Sequence, residues 1–211
     1  MKKLLDGYRR FHSHVFPQKR RLYASLASGQ SPQYLFITCS DSRIDPLEFT
    51  GTFAGDMFME RNVGNLVPEP GRGEHEAGAA IEYAVVALHV QYIVICGHSG
   101  CGAMQALLDP ESTREMPTVS AWLKGAAPTL ASVRKKYGDL TGQALLDATI
   151  RENVLVQLRH LSHLPCVAPR LAAGTLQLHG WVLEIEHGQV DAYNPEIDRF
   201  VALPQAYPHL R

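Results

Sequence analysis

The stretch YLFITCSDSR, residues 34–43, decides the fold and the site of this 211-residue chain. Its first half, Tyr34 to Thr38, is apolar and rich in residues that favour strands, and Ser31-Pro32 precedes it. This pattern predicts a short strand buried on both faces. A thiol, two hydroxyls, a carboxylate and a guanidinium follow directly, in residues 39–43. Ligands of α/β proteins bind where strand C-termini give way to loops, so the stretch predicts a site at the end of this strand.

Length and composition predict one domain without a polyanionic partner. A chain of 211 residues that is 45% hydrophobic suits a single domain, with N-terminal helical arms over 1–29 and an α/β core over 30–211. Twenty Lys and Arg against 21 Asp and Glu give a formal net charge of −1, which creates no field for nucleic acid or an anionic membrane. No apolar run is long enough to cross a bilayer, and no export pattern is evident. We therefore expect a cytoplasmic protein with four reduced cysteines.

Helix and strand signals alternate along the rest of the chain. Leu4, Tyr8, Phe11 and Val15 recur at helical spacing as far as Pro17, which predicts the first arm helix. After the first strand the predicted elements are a weaker strand at 56–60, a helix from about Glu74, the strongest strand at 92–96, a helix from about Gly100, a long helix with an apolar stripe from Leu146 to Leu161, and a hairpin over 176–193. This order is typical of an α/β protein.

A second unusual segment, GHSGCG at 97–102, follows the strongest strand. Two neighbouring parallel strands would deliver Cys39 from one side of a crevice, and His98 and Cys101 from the other. Two thiolates and an imidazole are zinc ligands, and a Cys₂His set leaves the fourth tetrahedral position for water, as in catalytic zinc sites. The glycines allow the backbone to bend close to an ion. A helix that begins here would favour Cys101 as a thiolate.

Each of these signals also has a simpler explanation. A cysteine after a strand is more often a small buried hydrophobe than a ligand, and an H-x-x-C pair alone is weak evidence for metal. An Asp-Arg pair such as Asp41 and Arg43 can simply hold a turn. Cys96 and Cys166 lack the glycines and charged neighbours of the other two cysteines, so we predict structural roles for them. The coincidence of both unusual segments at strand ends favours the metal site.

Asp41 and Arg43 have a chemical role in such a site. Zinc that carries two thiolates is formally neutral, so it acidifies its water less strongly than zinc held by three imidazoles. An ionised Asp41 can accept a hydrogen bond from that water and orient it, and Arg43 would keep the carboxylate ionised and correctly directed. Without Arg43, Asp41 could bind the metal itself and close the site.

These motifs resemble the β-class carbonic anhydrases, zinc enzymes that interconvert carbon dioxide and bicarbonate. The similar segments span most of the chain and are CSDSR, GDMFMERNVGNLVP, GAAIEYAV, ICGHSGCGAM, RENVLVQL and LHGWVLEI. The resemblance implies one Zn²⁺ per chain on Cys39, His98 and Cys101, with Asp41 and Arg43 as the catalytic pair. It also implies a central sheet of four parallel strands with an antiparallel C-terminal addition, flanked by helices, and N-terminal helices that clasp a neighbouring chain.

The resemblance further implies a substrate pocket built from two chains, so that a homodimer is the smallest assembly. The residues at its substrate-binding positions are Gln30, Phe58, Val63, Tyr83 and Gly102. Some bacterial members of the family have tryptophan three residues before the first cysteine, which accompanies a zinc site closed by an aspartate. This chain has Phe36 at that position, and it also has Gln30. We therefore predict the open arrangement, without inhibition by bicarbonate. His75, in a stretch that departs from the family pattern, is either a proton relay or a solvated loop residue.

The activity implied by the resemblance is reversible hydration of carbon dioxide by attack of zinc hydroxide. Two other activities stay open. One is hydrolysis of carbon disulfide or carbonyl sulfide on the same fold. The other is a phosphatase with Cys39 as nucleophile and Arg43 as phosphate clamp, although such a cradle normally needs a longer loop and leaves His98 and Cys101 unexplained. A non-enzymatic zinc module would leave the Asp41-Arg43 pair unexplained.

Overall fold

The computed structural model describes residues 1–71 and 76–207, which form two compact units, Met1–Ser31 and the described part of Pro32–Arg211. His75, and the predicted helix start at Glu74, lie outside the described residues. The first unit is helical. Its elements are α1 (Lys2–Arg10), a π-helical turn (Phe11–Val15), α2 (Phe16–Gln18) and α3 (Arg20–Leu26).

The helical path of the first unit continues past Pro17, where the sequence predicted a stop. Pro17 lies in the first turn of α2, where a missing backbone N–H costs no hydrogen bond. The ring of Phe11 contacts the rings of Phe16 and Tyr23 at centroid distances of 6.1 and 5.6 Å. These aromatic contacts join the helices of the first unit to one another.

The second unit is built on a six-stranded sheet of order β2-β1-β3-β4-β5-β6. The strands are β1 (Tyr34–Cys39), β2 (Met57–Asn62), β3 (Tyr92–His98), β4 (Gln177–Glu184), β5 (Gln189–Asn194) and β6 (Arg199–Ala202). The first four strands in this order are parallel and the last two join antiparallel. The predicted sheet of four parallel strands with an antiparallel addition is therefore confirmed. The short strand β6 was not predicted.

Helices and turns connect the strands. They are α4 (Pro46–Thr50), α5 (Glu76–Glu82) with a π-helical turn (Tyr83–Ala87), α6 (Gly102–Leu108), α7 (Pro117–Leu123), α8 (Ala127–Lys136), α9 (Gly142–His163), α10 (Ala168–Ala172) and α11 (Leu203–Ala206). Within the described ranges, no helix combines the length and the apolar character that a membrane crossing requires. The cytoplasmic location stays a prediction.

Strand order places the end of β1 beside the end of β3. The chain leaves β1 toward β2 on one side and then crosses to β3 on the other, so strand order switches between β1 and β3. Thr38 is paired with Cys96, which brings the residues that follow both strands to the same edge of the sheet. Leu35, Phe36 and Ile37 are fully buried, as the apolar run predicted. The switch point is where open α/β sheets bind ligands.

The long helix α9 packs directly on the sheet because two strand residues are glycines. A Cβ atom at Gly97 would lie 3.0 Å from Cγ2 of Val154, and one at Gly180 would lie 2.8 Å from Cγ1 of the same valine. Val154 is fully buried, and a β-branched side chain in a helix has one strongly preferred rotamer. The apolar stripe predicted for this helix therefore faces the sheet at close range.

Replacing Gly180 by alanine is expected to lower the free energy of unfolding by about 1–3 kcal/mol, the usual cost of overpacking. The added methyl group meets both Val154 and Leu158 at 2.8 Å. Urea denaturation measures the effect. The control is G125A, where a Cβ meets nothing within 4 Å, and it is expected to change stability by less than about 0.5 kcal/mol. Equal stability of G180A and wild type would show that α9 does not pack as closely as described.

Candidate metal centre

Three predicted ligands meet at the switch point. Cys39 ends β1, His98 ends β3, and Cys101 immediately precedes α6. Their donor atoms all lie within 4.8 Å of one another, and all three side chains are buried. Among residues 1–71 and 76–207 this is the one group of three or more His, Cys, Asp or Glu side chains close enough to hold a metal ion. The parallel pairing of β1 with β3 brings together residues that are 59 positions apart in the sequence.

The imidazole of His98 has one nitrogen in this cluster that is buried without a hydrogen-bond partner in the described part of the chain. Its Nδ1 lies 3.0 Å from the carbonyl oxygen of Ser99. A carbonyl only accepts, so Nδ1 carries the proton and Nε2 keeps a lone pair. Nε2 is buried and has no hydrogen-bond partner among the described residues. A buried polar atom without a partner is costly, and a metal ion bound by this lone pair would remove the cost.

The two thiols of the cluster differ in acidity. The pKa of Cys39 is lowered, first because the side chain of Cys101 hydrogen-bonds to it, and also by His98 and the backbone N–H of Gly64. The pKa of Cys101 is raised by the same contact with Cys39 and by burial. The helix that follows Cys101 was expected to favour its thiolate, and the contact with the side chain of Cys39 acts in the opposite direction. A divalent cation bound by both sulfurs would favour the thiolate form of each.

The structural cysteines behave differently from the cluster. Cys96 is buried in β3, and burial raises its pKa to about 12, so it remains a neutral thiol. Cys166 is half-buried, and burial also raises its pKa. Both observations agree with the structural roles predicted for these two residues.

Asp41 and Arg43 form a bidentate ion pair beside the cluster. Nε of Arg43 donates to Oδ1 of Asp41 at 3.0 Å, and its terminal nitrogen donates to Oδ2 at 2.7 Å. The same terminal nitrogen donates to the carbonyl of Gly100 at 3.0 Å, which ties the pair to the turn between His98 and Cys101. These bonds hold the pKa of Asp41 well below its usual range. Oδ2 of Asp41 lies 3.8 Å from Nε2 of His98.

Arg61 holds the backbone of the CSDSR loop, and sequence reasoning missed it. Its guanidinium donates to the carbonyl of Cys39 at 3.1 Å, of Asp41 at 2.7 Å and of Ile44 at 3.2 Å. One side chain on β2 thus fixes a ligand residue and the carboxylate residue together. The contact depends on the register that sets Arg61 opposite Thr38, for which no local pattern gives a signal.

Helix α9 fixes the other side of the cluster through a buried polar network that sequence reasoning also missed. Nδ2 of Asn153 donates to the carbonyl of Gly64 at 3.0 Å, and Oε1 of Gln157 accepts from the N–H of Val67 at 2.8 Å. Gly64 in turn donates to the sulfur of Cys39 at 3.5 Å. Buried, satisfied networks of this kind rigidify the segments that they join.

The predicted substrate-binding residues do not all gather at this cluster. Val63 precedes Gly64 and is 39% exposed, and Gly102 follows Cys101. Phe58 pairs with Leu35, four residues before Cys39, which is about 13 Å along the strand. Its ring contacts that of Tyr83 at 5.8 Å, and Tyr83 is 50% exposed. Gln30 belongs to the first compact unit. The Phe58-Tyr83 pair therefore does not line the cluster of its own chain.

The fold and the cluster together define a class of protein. A parallel sheet carries two cysteines and a histidine to its switch point, and an ion-paired carboxylate stands beside them. Structural zinc sites use four protein ligands, whereas catalytic sites use three and keep one position open. The class is that of an α/β protein with a buried three-ligand site that could hold a metal ion.

Comparison with known proteins gives the family. Residues 34–190 match the family model described as carbonic anhydrase. A carbonic anhydrase of Pseudomonas aeruginosa is 42% identical over 211 residues, which cover 100% of this chain and 95% of that protein. One of Synechocystis is 44% identical over 98% of this chain and 75% of its own length. The chain belongs to the β-class carbonic anhydrases, as the sequence motifs indicated.

Solved structures agree with this assignment. The β-carbonic anhydrase CcaA is 43% identical and superposes with a TM-score of 0.93 over 96% of this chain and 98% of its own. One of two tetrameric β-carbonic anhydrases of Sordaria macrospora is 28% identical, with a TM-score of 0.79 over 90% of this chain and 95% of its own. The sheet and its helices are thus those of the family.

Proposed function

We propose that this protein catalyses the zinc-dependent, reversible hydration of carbon dioxide to bicarbonate and a proton. The observation that carries the proposal is the buried cluster of Cys39, His98 and Cys101, with donor atoms within 4.8 Å of one another. Beside the cluster stands the carboxylate of Asp41, with both oxygens bound by Arg43. Hydration of carbon dioxide is the activity for which the family is named.

The donor set suits Zn²⁺. Two thiols and an imidazole are ligands that zinc accepts in a tetrahedral site, and the bare Nε2 of His98 has no other partner in the described structure. When bound, zinc would supply the acidity that makes a coordinated water nucleophilic near neutral pH. If Cys39 and Cys101 bound zinc as thiolates, the coordinated water would be less acidic than in a three-histidine site. The neighbouring carboxylate would then be needed to orient and activate this water.

Asp41 is placed to orient the attacking water. Its Oδ2 is 3.8 Å from Nε2 of His98, so the carboxylate borders the ligand cluster. The low pKa of Asp41 keeps its carboxylate ionised, so it can only accept a hydrogen bond from the water. This bond would direct a lone pair of the water away from Asp41. Arg43 fixes the direction of the carboxylate through its fork of two hydrogen bonds.

The substrate pocket requires a second chain. Phe58 and Tyr83 contact each other but lie away from the cluster of their own chain, so they can line a pocket only at the cluster of a partner. Val63 and Gly102 flank the cluster of the same chain. Half-exposed apolar side chains such as Tyr83 and Val86, 55% exposed, supply a surface that pairing of two chains would bury. Gln30 keeps its predicted substrate role.

A homodimer or larger homo-oligomer is therefore part of the proposal. Asp6 is the one acidic residue among residues 1–31, against seven Lys and Arg, so the remainder of the chain is net acidic. Opposite charges favour contact between the basic arm of one chain and the acidic body of another. The similar β-carbonic anhydrases of Sordaria macrospora are tetrameric, which agrees with assembly above the monomer.

The other two activities fit the structure less well. In a Cys39 phosphatase, Arg43 would have to clamp a phosphate, but its guanidinium is occupied by Asp41 and the carbonyl of Gly100. Hydrolysis of carbon disulfide or carbonyl sulfide would use the same residues as carbon dioxide hydration. Parallel assays on carbon dioxide and carbon disulfide separate these two substrates.

Stopped-flow hydration of carbon dioxide, with zinc content determined on the same sample, tests the proposal. We expect rapid hydration that disappears when a chelator removes zinc and returns when Zn²⁺ is added back. Added Mg²⁺ is not expected to restore it, because Mg²⁺ prefers oxygen ligands. Stoichiometric zinc without hydration from neutral to alkaline pH would contradict the proposal, and carbon disulfide would then be the next substrate.

A further inference from the structure

The direction of the His98 ring depends on a series of hydrogen bonds to residues outside the ligand cluster. His98 itself is fully buried at the end of β3, and its Nδ1 donates to the carbonyl of Ser99. That carbonyl belongs to the turn between His98 and Cys101, in which Gly100 has a φ of +63°. Strand β3 ends at His98, so the carbonyl of Ser99 lies beyond the regular pairing of β3 with β4. Something else must therefore fix the carbonyl that sets the ring.

Ser99 is fixed by three hydrogen bonds to the end of β4 and the turn that follows it. Its N–H donates to the carbonyl of Leu183 at 2.9 Å. Its hydroxyl donates to Oε1 of Glu184 at 2.8 Å and accepts from the N–H of Ile185 at 3.0 Å. The same carboxylate oxygen also accepts from the N–H of Glu186 at 3.3 Å. The hydroxyl of Ser99 thus both donates and accepts, and its bond to the carboxylate is charge-assisted.

We propose that Ser99, anchored by Glu184, is a positioning residue that fixes the tautomer and the direction of His98 as a metal ligand. Histidine ligands of metals usually donate their second nitrogen to a carbonyl or carboxylate, and the loss of such a partner weakens metal binding. Here the carbonyl that receives the proton is itself held in place by a side chain bonded to the neighbouring strand. The inference rests on the proposed zinc site.

Zinc affinity of the full-length protein tests this role. Apo-protein is titrated with Zn²⁺ in competition with a chromophoric chelator, for wild type, S99A, S99T and E184A. We expect S99A to raise the dissociation constant by about 10- to 100-fold. S99T, which keeps the hydroxyl, is expected to bind zinc as wild type does. E184A is expected to weaken binding by a smaller factor, because the bond from Ile185 to the hydroxyl remains.

Two controls separate positioning from general stability. S162A removes a serine hydroxyl that bonds only within α9, to the carbonyl of Arg159 and beside His163, and it is expected to leave zinc affinity unchanged. Melting temperatures of the apo-proteins are measured in parallel. A lower melting temperature of S99A or E184A with wild-type zinc affinity would show that the contacts only stabilise the turn. That result would overturn this inference and leave the proposed function unaffected. Absence of zinc binding by the wild-type protein would overturn the proposed function together with it.

Discussion

The variant C101S is expected to lose tightly bound zinc and, with it, carbon dioxide hydration. Serine replaces a thiolate by a hydroxyl that stays protonated at neutral pH, so only Cys39 and His98 remain as ligands. Removing a direct ligand should weaken zinc binding more than removing a hydrogen-bond partner of a ligand does. We therefore expect zinc affinity to fall by more than about 100-fold. Metal analysis after dialysis measures the first effect, and stopped-flow hydration measures the second.

The matched control for this substitution is C166S. Cys166 is a free, half-buried cysteine that is not part of the cluster. It is expected to keep stoichiometric zinc and normal turnover. Full retention of tightly bound zinc by C101S would rule out Cys101 as a ligand.

The variant R43A is expected to keep its zinc and to lose about 100-fold or more of its turnover, the range over which a positioned acid or base contributes. The side chain of Arg43 donates the two hydrogen bonds that hold the Asp41 carboxylate in a bidentate pair. Once these are lost, only the backbone N–H of residue 43 still donates to Oδ1 of Asp41, at 2.9 Å. Oδ2 lies 3.8 Å from Nε2 of His98 and can then turn toward the ligand cluster. Asp41 would then compete with water for the fourth ligand position of the proposed zinc site.

Metal content and turnover, measured on the same R43A sample, separate this effect from simple loss of zinc. R114A removes an exposed arginine that directly follows the 3₁₀ turn Pro110–Thr113, and it is expected to change neither quantity. R43A protein with bound zinc and near-normal turnover would disprove the role of the pair. R43A protein without zinc would instead assign Arg43 to metal retention.

The candidate site could be predicted from the sequence because its chemistry is local. Cys39, Asp41 and Arg43 lie within five consecutive positions directly after an apolar run, and His98 and Cys101 lie just after a second apolar run. A run of apolar residues identifies a buried strand without reference to the rest of the chain. The rule that parallel strands present their C-terminal ends to one edge then brings the two segments together. In the structure the side chains of Cys39, His98 and Cys101 lie together at this edge.

Other features depend on register and packing between distant segments. Arg61 reaches the CSDSR loop only because β2 pairs with β1 in one register, and Asn153 reaches Gly64 only because α9 lies close to the sheet. The opposite pKa shifts of Cys39 and Cys101 have as their largest cause the contact between these two side chains, which no local pattern contains. Conformation within a few residues follows from periodicity and turn chemistry, whereas these contacts follow from how whole elements pack.

The amino-acid sequence by itself therefore determined the α/β class, the family, and the candidate ligands with their neighbouring Asp41-Arg43 pair. Only the tertiary structure decided how the site is held, through Arg61, α9 and the Ser99-Glu184 contact. It also placed the Phe58-Tyr83 pair away from the cluster of its own chain. The physical reason is distance along the chain: the ligands are specified by residues that adjoin them, and their supports come from segments up to about a hundred residues away, which only folding brings into contact.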